Sequence, residues 1–135
     1  MDITHIEHIG IAVLNLEEAI TYYEKVLGLK CYAIETVEKQ KVKTAFFKIG
    51  ETKIELLQST DEESPISKFI EKKGEGIHHL AFHVNNLENA LNEAEENGAI
   101  LINNEPVNGA EKMNVAFLHP KSTHGVLTEL CSEQK

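Results

Sequence analysis

The sequence predicts an α+β fold made of two βαβββ modules, because one order of strand, helix and further strands is written twice. HIGIAVLNLEEAI from His8 and HLAFHVNNLENAL from His79 align at a constant offset of 71 residues. That offset pairs His8 with His79, Val13 with Val84, Asn15 with Asn86, Leu16 with Leu87, Glu17 with Glu88 and Ala19 with Ala90. Each module closes on a similar apolar strand, KIELLQ at 53–58 and LTELCS at 127–132, which matches Glu55 with Glu129. Agreement of order, helix punctuation and closing strand marks an internal repeat, with the halves related by a pseudo-two-fold axis.

Alternating apolar residues give a first strand near 5–13. Asn15 is the expected N-cap of the first helix, since its short side chain can accept from an orphan N–H of the first turn, and Glu18 stands at the capping-box position. Leu16, Ala19, Ile20, Tyr23 and Leu27 share one helical face, and Gly28 supplies a left-handed stop. Strands are expected near 30–37, 42–49 and 53–58. A short helix starts at Ser64-Pro65, with proline at its favoured first position, and turns Ile66, Phe69 and Ile70 inward. The second module repeats the plan: a strand near 77–84, a helix from Asn86 to Gly98, then strands near 99–102, 114–119 and 126–131. The expectation is one domain over 1–135, with module one at about 5–60, a linking helix at about 64–73 and module two at about 76–132.

Composition narrows the function. The 135 residues are 41% hydrophobic, enough for an ordinary core. Mean hydropathy is −0.26, and no apolar run approaches the roughly 20 residues of a membrane span. The N-terminus has no basic region ahead of an apolar stretch, so the cytoplasm is the expected compartment. A formal charge of −9, from 22 acidic and 13 basic residues, disfavours nucleic acid as a partner. Cys31 and Cys131 form no CxxC pair and read as small buried thiols of a reducing compartment.

Four residues stand out chemically. Alternate side chains of a strand share a face, so His8 lies beside Gly10 and Ala12, and His79 beside Ala81 and His83. Small neighbours leave room around an imidazole. Glu55 and Glu129 each interrupt an apolar strand, where a carboxylate is costly to bury without a partner. Under pseudo-two-fold symmetry, two imidazoles and two carboxylates converge on one point. That donor set suits a divalent cation such as Co, Ni, Zn or Mn, with positions left open for substrate oxygens. The plainer alternative makes each histidine a satisfied core residue and turns each glutamate to solvent. His83 shares the face of His79 one step further on and is expected at the rim; His78 points to the opposite face. His119 and His124, in HPKSTHG, could border a pocket.

With these motifs in view, the chain resembles the vicinal oxygen chelate superfamily (the glyoxalase, bleomycin resistance and dioxygenase group) and, within it, the methylmalonyl-CoA epimerases. The resemblance runs over essentially the whole chain. HIGIAV at 8–13 is the superfamily signal, whereas EESPISKFIEKKGEGIHHLAFHV at 62–84 and FLHPKSTHGVLTEL at 117–130 are closer to the epimerases. It implies a divalent metal, often cobalt, an acyl-CoA thioester substrate inverted at its α-carbon between (2R) and (2S), and a homodimer. His8, His79 and Glu129 match the family's metal ligands, and Glu55 stands where members carry Gln or Glu. Glu129 is the candidate proton-transfer group, while His119, Lys121 and Ser122 are candidates for holding the substrate's carboxylate or phosphates. One departure is visible: the second carboxylate of certain epimerases falls, by alignment through GETKIELL, on Thr44, which is a poor base.

Three rival readings remain. A glyoxalase I type lyase can use the same four ligands, but usually carries a DPDG-like turn where this chain has HPKS. An extradiol dioxygenase would leave Glu55 surplus. A non-catalytic small-ligand binder of the same fold would have no need of an open metal site.

Overall fold

The computed structural model describes residues 1–135, which divide into two compact units: His8–His78, and His79–Lys135 together with Met1–Glu7. The boundary falls inside two strands, β1 (Ile3–Ala12) and β5 (Gly76–Val84). No helix is long and apolar enough to cross a membrane.

In the first unit, β1 leads into α1 (Leu16–Thr21), β2 (Ala33–Val37), β3 (Val42–Ile49), β4 (Thr52–Ser59) and α2 (Pro65–Lys73). The strands lie in the order β2-β3-β4-β1. β3 is antiparallel to both of its neighbours, and β1 runs parallel to β4. The Asn15 side chain accepts from the Glu18 amide at 3.0 Å, as its capping role predicts. After Thr21 the helix widens into a π-helical turn over Tyr22–Val26, where the Leu27 N–H reaches back to the Tyr22 carbonyl at 3.4 Å. A π turn inserts one extra residue and rotates the next stretch of chain about the helix axis. Leu27 is consequently exposed, against the sequence expectation, and Leu29 packs inward in its place. The left-handed Gly28 ends the helix as expected. Residues 30–32 are not strand; β2 begins only at Ala33.

Two apolar clusters hold this unit. Under α1 lie Ala45, Phe47 and Leu56, with Ile11 and Ile54. Under α2, Ile66, Phe69 and Ile70 cover Ala12, Val42 and Leu57. Ser64 caps α2, its hydroxyl accepting from the Ile66 amide at 3.2 Å.

The second unit builds the same topology again. β5, α3 (Leu87–Glu96), β6 (Val107–Asn108), β7 (Met113–Leu118) and β8 (Thr128–Glu133) come in that sequence, and the strands lie in the order β5-β8-β7-β6. β5 runs parallel to β8, as β1 does to β4. Asn86 accepts from the Asn89 amide at 3.0 Å. Leu87, Ala90, Leu91 and Ala94 of α3 pack on Val84, Ala116, Leu118 and Leu130. The strand expected at 99–102 is reduced to a single bridge, Leu101 to Leu118. The second strand of this unit is instead the two-residue β6, beyond Pro106, which pairs with Val115 and Asn114. Proline has no N–H for a ladder, which explains why pairing resumes only after it. Cys131 is buried as expected, whereas Cys31 is half-buried; neither is in a disulfide.

Candidate active site

Each unit has one sheet face under its principal helix and one face opposite, and the candidate residues occupy the opposite face. In the first unit the register Gly10↔Glu55 and Glu55↔Phe46 places the Glu55 carboxylate in a row between a glycine and a phenylalanine. His8 is two residues before Gly10 on the same face. Its Nδ1 lies 3.2 Å from Glu55 Oε2, and the two side chains are 6% and 8% exposed.

The second unit repeats the arrangement residue for residue. Ala81↔Glu129 and Phe117↔Glu129 set that carboxylate between a small residue and a phenylalanine. His79 is two residues before Ala81, with Nε2 3.4 Å from Glu129 Oε1. Phe117 packs edge-on against the His79 ring at 5.6 Å. The alternative that turned the glutamates to solvent fails, because both are buried.

The two pairs fit a divalent cation on their donor chemistry. Each offers an imidazole nitrogen and a carboxylate oxygen within ligating distance of one another, in a buried setting. Borderline divalent ions take that mixed nitrogen and oxygen set.

The other sequence candidates divide. His119, Lys121 and Ser122 share the turn after β7. His119 Nδ1 accepts from the Lys121 amide at 3.1 Å, and Ser122 Oγ both accepts from Ile100 N–H and donates to the His119 carbonyl. Ser122 therefore braces the 99–102 segment, while the exposed Lys121 ammonium extends from the turn. His83 is buried, with Nδ1 2.7 Å from Thr4 Oγ1 and Nε2–H donating to Glu133 Oε1 at 2.7 Å. That hydrogen bond holds the Glu133 carboxyl below the usual carboxylate range. His78, half-buried and edge-on to Phe69 at 5.0 Å, is pushed by burial down to about 4. Sequence reasoning did not single out Glu7, the residue before His8, although its side chain is buried; nothing in the local pattern distinguishes it from a solvated strand glutamate.

Comparisons with known proteins show the family. Residues 7–117 match the model of the Glyoxalase/Bleomycin resistance protein/Dioxygenase superfamily. The Bacillus subtilis protein YqjC is 45% identical over 93% of this chain and 90% of its own. An ethylmalonyl-CoA/methylmalonyl-CoA epimerase of Cereibacter sphaeroides is 39% identical over 95% and 97% of the two chains. Among solved structures, a variant of the Streptomyces coelicolor methylmalonyl-CoA epimerase in complex with 2-nitronate-propionyl-CoA superposes with a TM-score of 0.94. It is 35% identical and covers 98% of this chain and 96% of that one.

Proposed function

We propose a specific reaction for this chain, which belongs to the glyoxalase/bleomycin resistance/dioxygenase superfamily and, within it, to the methylmalonyl-CoA epimerase group. It is an isomerase of acyl-CoA thioesters, and the reaction is interconversion of (2R)- and (2S)-methylmalonyl-CoA. The observation that carries this reading is the duplicated, buried histidine–glutamate pair, set on the same face of two topologically identical units.

In this reading His8, Glu55, His79 and Glu129 together hold one divalent cation, cobalt being the first choice and zinc, nickel and manganese the others. A cation held there supplies Lewis-acid stabilisation of the negative charge that develops when an α-proton leaves, an effect worth several kcal/mol. The α-carbon between a thioester and a carboxylate is unusually acidic for carbon, so a carboxylate suffices as base. Glu129 is assigned that proton transfer. Its burial beside His79 and Phe117 keeps bulk water from competing for the proton. Lys121 and His119, in the turn after β7, are assigned to the substrate's anionic groups, with Ser122 holding that turn in shape. The protein is placed in the cytoplasm as a homodimer.

A glyoxalase I type lyase also moves a proton next to a carbonyl, so the test must separate the two. Metal-reconstituted protein is incubated with (2S)-methylmalonyl-CoA in D₂O and the C2 proton is followed by NMR. Metal-dependent loss of that signal with formation of the (2R) isomer, both abolished in Glu129→Gln, is the expected result. No exchange with metal bound rejects the epimerase, and the hemithioacetal of methylglyoxal becomes the next substrate.

A further inference from the structure

Inversion at carbon needs a proton taken from one face and returned to the other. One carboxylate, Glu129, has been assigned, and the second position used in certain epimerases is Thr44 in this chain. Thr44 is 1% exposed, with a hydroxyl that is no base at neutral pH.

The strand register locates a replacement. On the face of the first unit that carries His8 and Glu55, one row across the strands reads Gly10, Glu55, Phe46, Ala33. The next row reads Ala12, Leu57, Thr44, Glu35. Glu35 is thus the direct cross-strand neighbour of Thr44, and such neighbours on one face have Cβ atoms about 4.5–5.5 Å apart. A glutamate side chain is long enough to bring its carboxylate over the shorter threonine.

Burial within β2 supports the assignment. Ala33, Ile34 and Thr36 are exposed, with Ile34 at 52%, whereas Glu35 is half-buried together with Val37. Glu35 and Val37 are the two residues that β2 turns to its covered side, the side that carries Thr44. The same row of the second unit reads His83, Cys131, Val115, Val107, with no carboxylate at the matching place. The repeat therefore does not account for Glu35; it is particular to the first unit.

We propose that Glu35 is the second proton-transfer residue of the epimerisation, a reading that rests on the proposed function. One carboxylate takes the C2 proton, and the C–H electron pair delocalises onto the thioester oxygen. The other, arriving as the carboxylic acid, returns a proton to the opposite face of the carbon. One proton leaves and one arrives, nothing is oxidised or reduced, and solvent resets the two carboxyls.

The experiment measures C2–H exchange in D₂O from each epimer separately, alongside epimerisation, in the wild-type protein and in Glu35→Gln. The expected result is a loss of epimerisation of about 10²–10⁴-fold, with exchange retained from one epimer and lost from the other. Epimerisation in Glu35→Gln within a few-fold of wild type overturns the proposal. So does equal loss of exchange from both epimers, which would mark Glu35 as a structural residue. Should Glu35→Gln lose its far-UV circular dichroism, Glu35→Asp carries the same test, with one-sided slowing expected and equal slowing overturning. Absence of exchange from either epimer in the wild-type protein is a separate outcome, and it removes the epimerase reading along with this proposal.

Discussion

The two units share a strand order and a histidine–glutamate pair, yet their surroundings differ. Around the pair the match is close: a small residue beside each carboxylate on one side, Gly10 or Ala81, and a phenylalanine on the other, Phe46 or Phe117. One row further on it ends. The first unit places Thr44 and Glu35 where the second has Val115 and Val107. The first helix is six residues long and widens into a π turn, whereas α3 runs for ten. The outer strand is five residues in β2 and two in β6. The difference separates two demands. In the proposed function, binding a cation would be served by equivalent residues in each unit. Moving a proton at one chiral carbon is one-sided, and the residues that do it need not be duplicated.

The largest predicted effect breaks the apparent equivalence of the two glutamates. Glu129→Gln removes the charge of a proposed ligand and the assigned proton carrier together, and epimerisation should fall by about 10²–10⁴-fold. Glu55→Gln keeps an amide oxygen in place to ligate. Metal content by atomic absorption should stay near stoichiometric, and the rate loss should be much smaller than for Glu129→Gln. Equal rate losses would mean that both carboxylates act only as ligands and that the proton is carried elsewhere.

Stability gives a test in the opposite direction, where the units should behave alike. Leu56 under α1 and Leu130 under α3 are both almost fully buried. Truncation of either to alanine should cost about 2–5 kcal/mol, read from urea unfolding curves. A single transition shifted equally by both changes would show one cooperative fold. Two resolved transitions, each moved by its own substitution, would show that the units unfold separately.

The same division governs how much of the molecule was legible in its sequence. The repeat, both Asn caps, the Ser64-Pro65 start and the four candidate ligands could be read because each is a local pattern or a pattern repeated at fixed spacing. The π turn could not, since nothing in TYYEKVLG distinguishes an α turn from a wider one, and so Leu27 was wrongly expected inside. The expected strand at 99–102 rested on its apolar residues, but pairing depends on the partner register, and Pro106 moved the paired segment to Val107–Asn108. Glu35 was invisible for a related reason. Only the register with β3 shows that it stands beside Thr44.

The N-caps sharpen the comparison at a smaller scale. Asn15 and Asn86 accept from the amide three residues on at the same 3.0 Å. Alanine at either should cost about 1 kcal/mol, measured by thermal melting. Equal costs would show that the cap's value is set locally. A larger cost at Asn15 would show that the short α1, with its irregular end, depends more on its first turn.

The smallest effect belongs to the second unit alone. His83 donates to Glu133 and keeps that carboxyl below its ordinary value of 4.5. Because the folded-state value is depressed, the stabilisation is present above the unfolded carboxylate's range and is lost as the pH falls through the lower folded value. Glu133 is 72% exposed, so solvent screens the pair and the contribution is about 0.2–1 kcal/mol. Glu133→Gln should therefore lower stability at pH 7 by about that amount, and its deficit against the wild type should shrink as the pH drops below 4.5 and vanish once it has passed the depressed folded value. Added salt at pH 7 should shrink the deficit as well. A deficit that persists unchanged in acid would mean that Glu133 acts through packing against His83, and the assigned ionic hydrogen bond would then carry no weight in the fold.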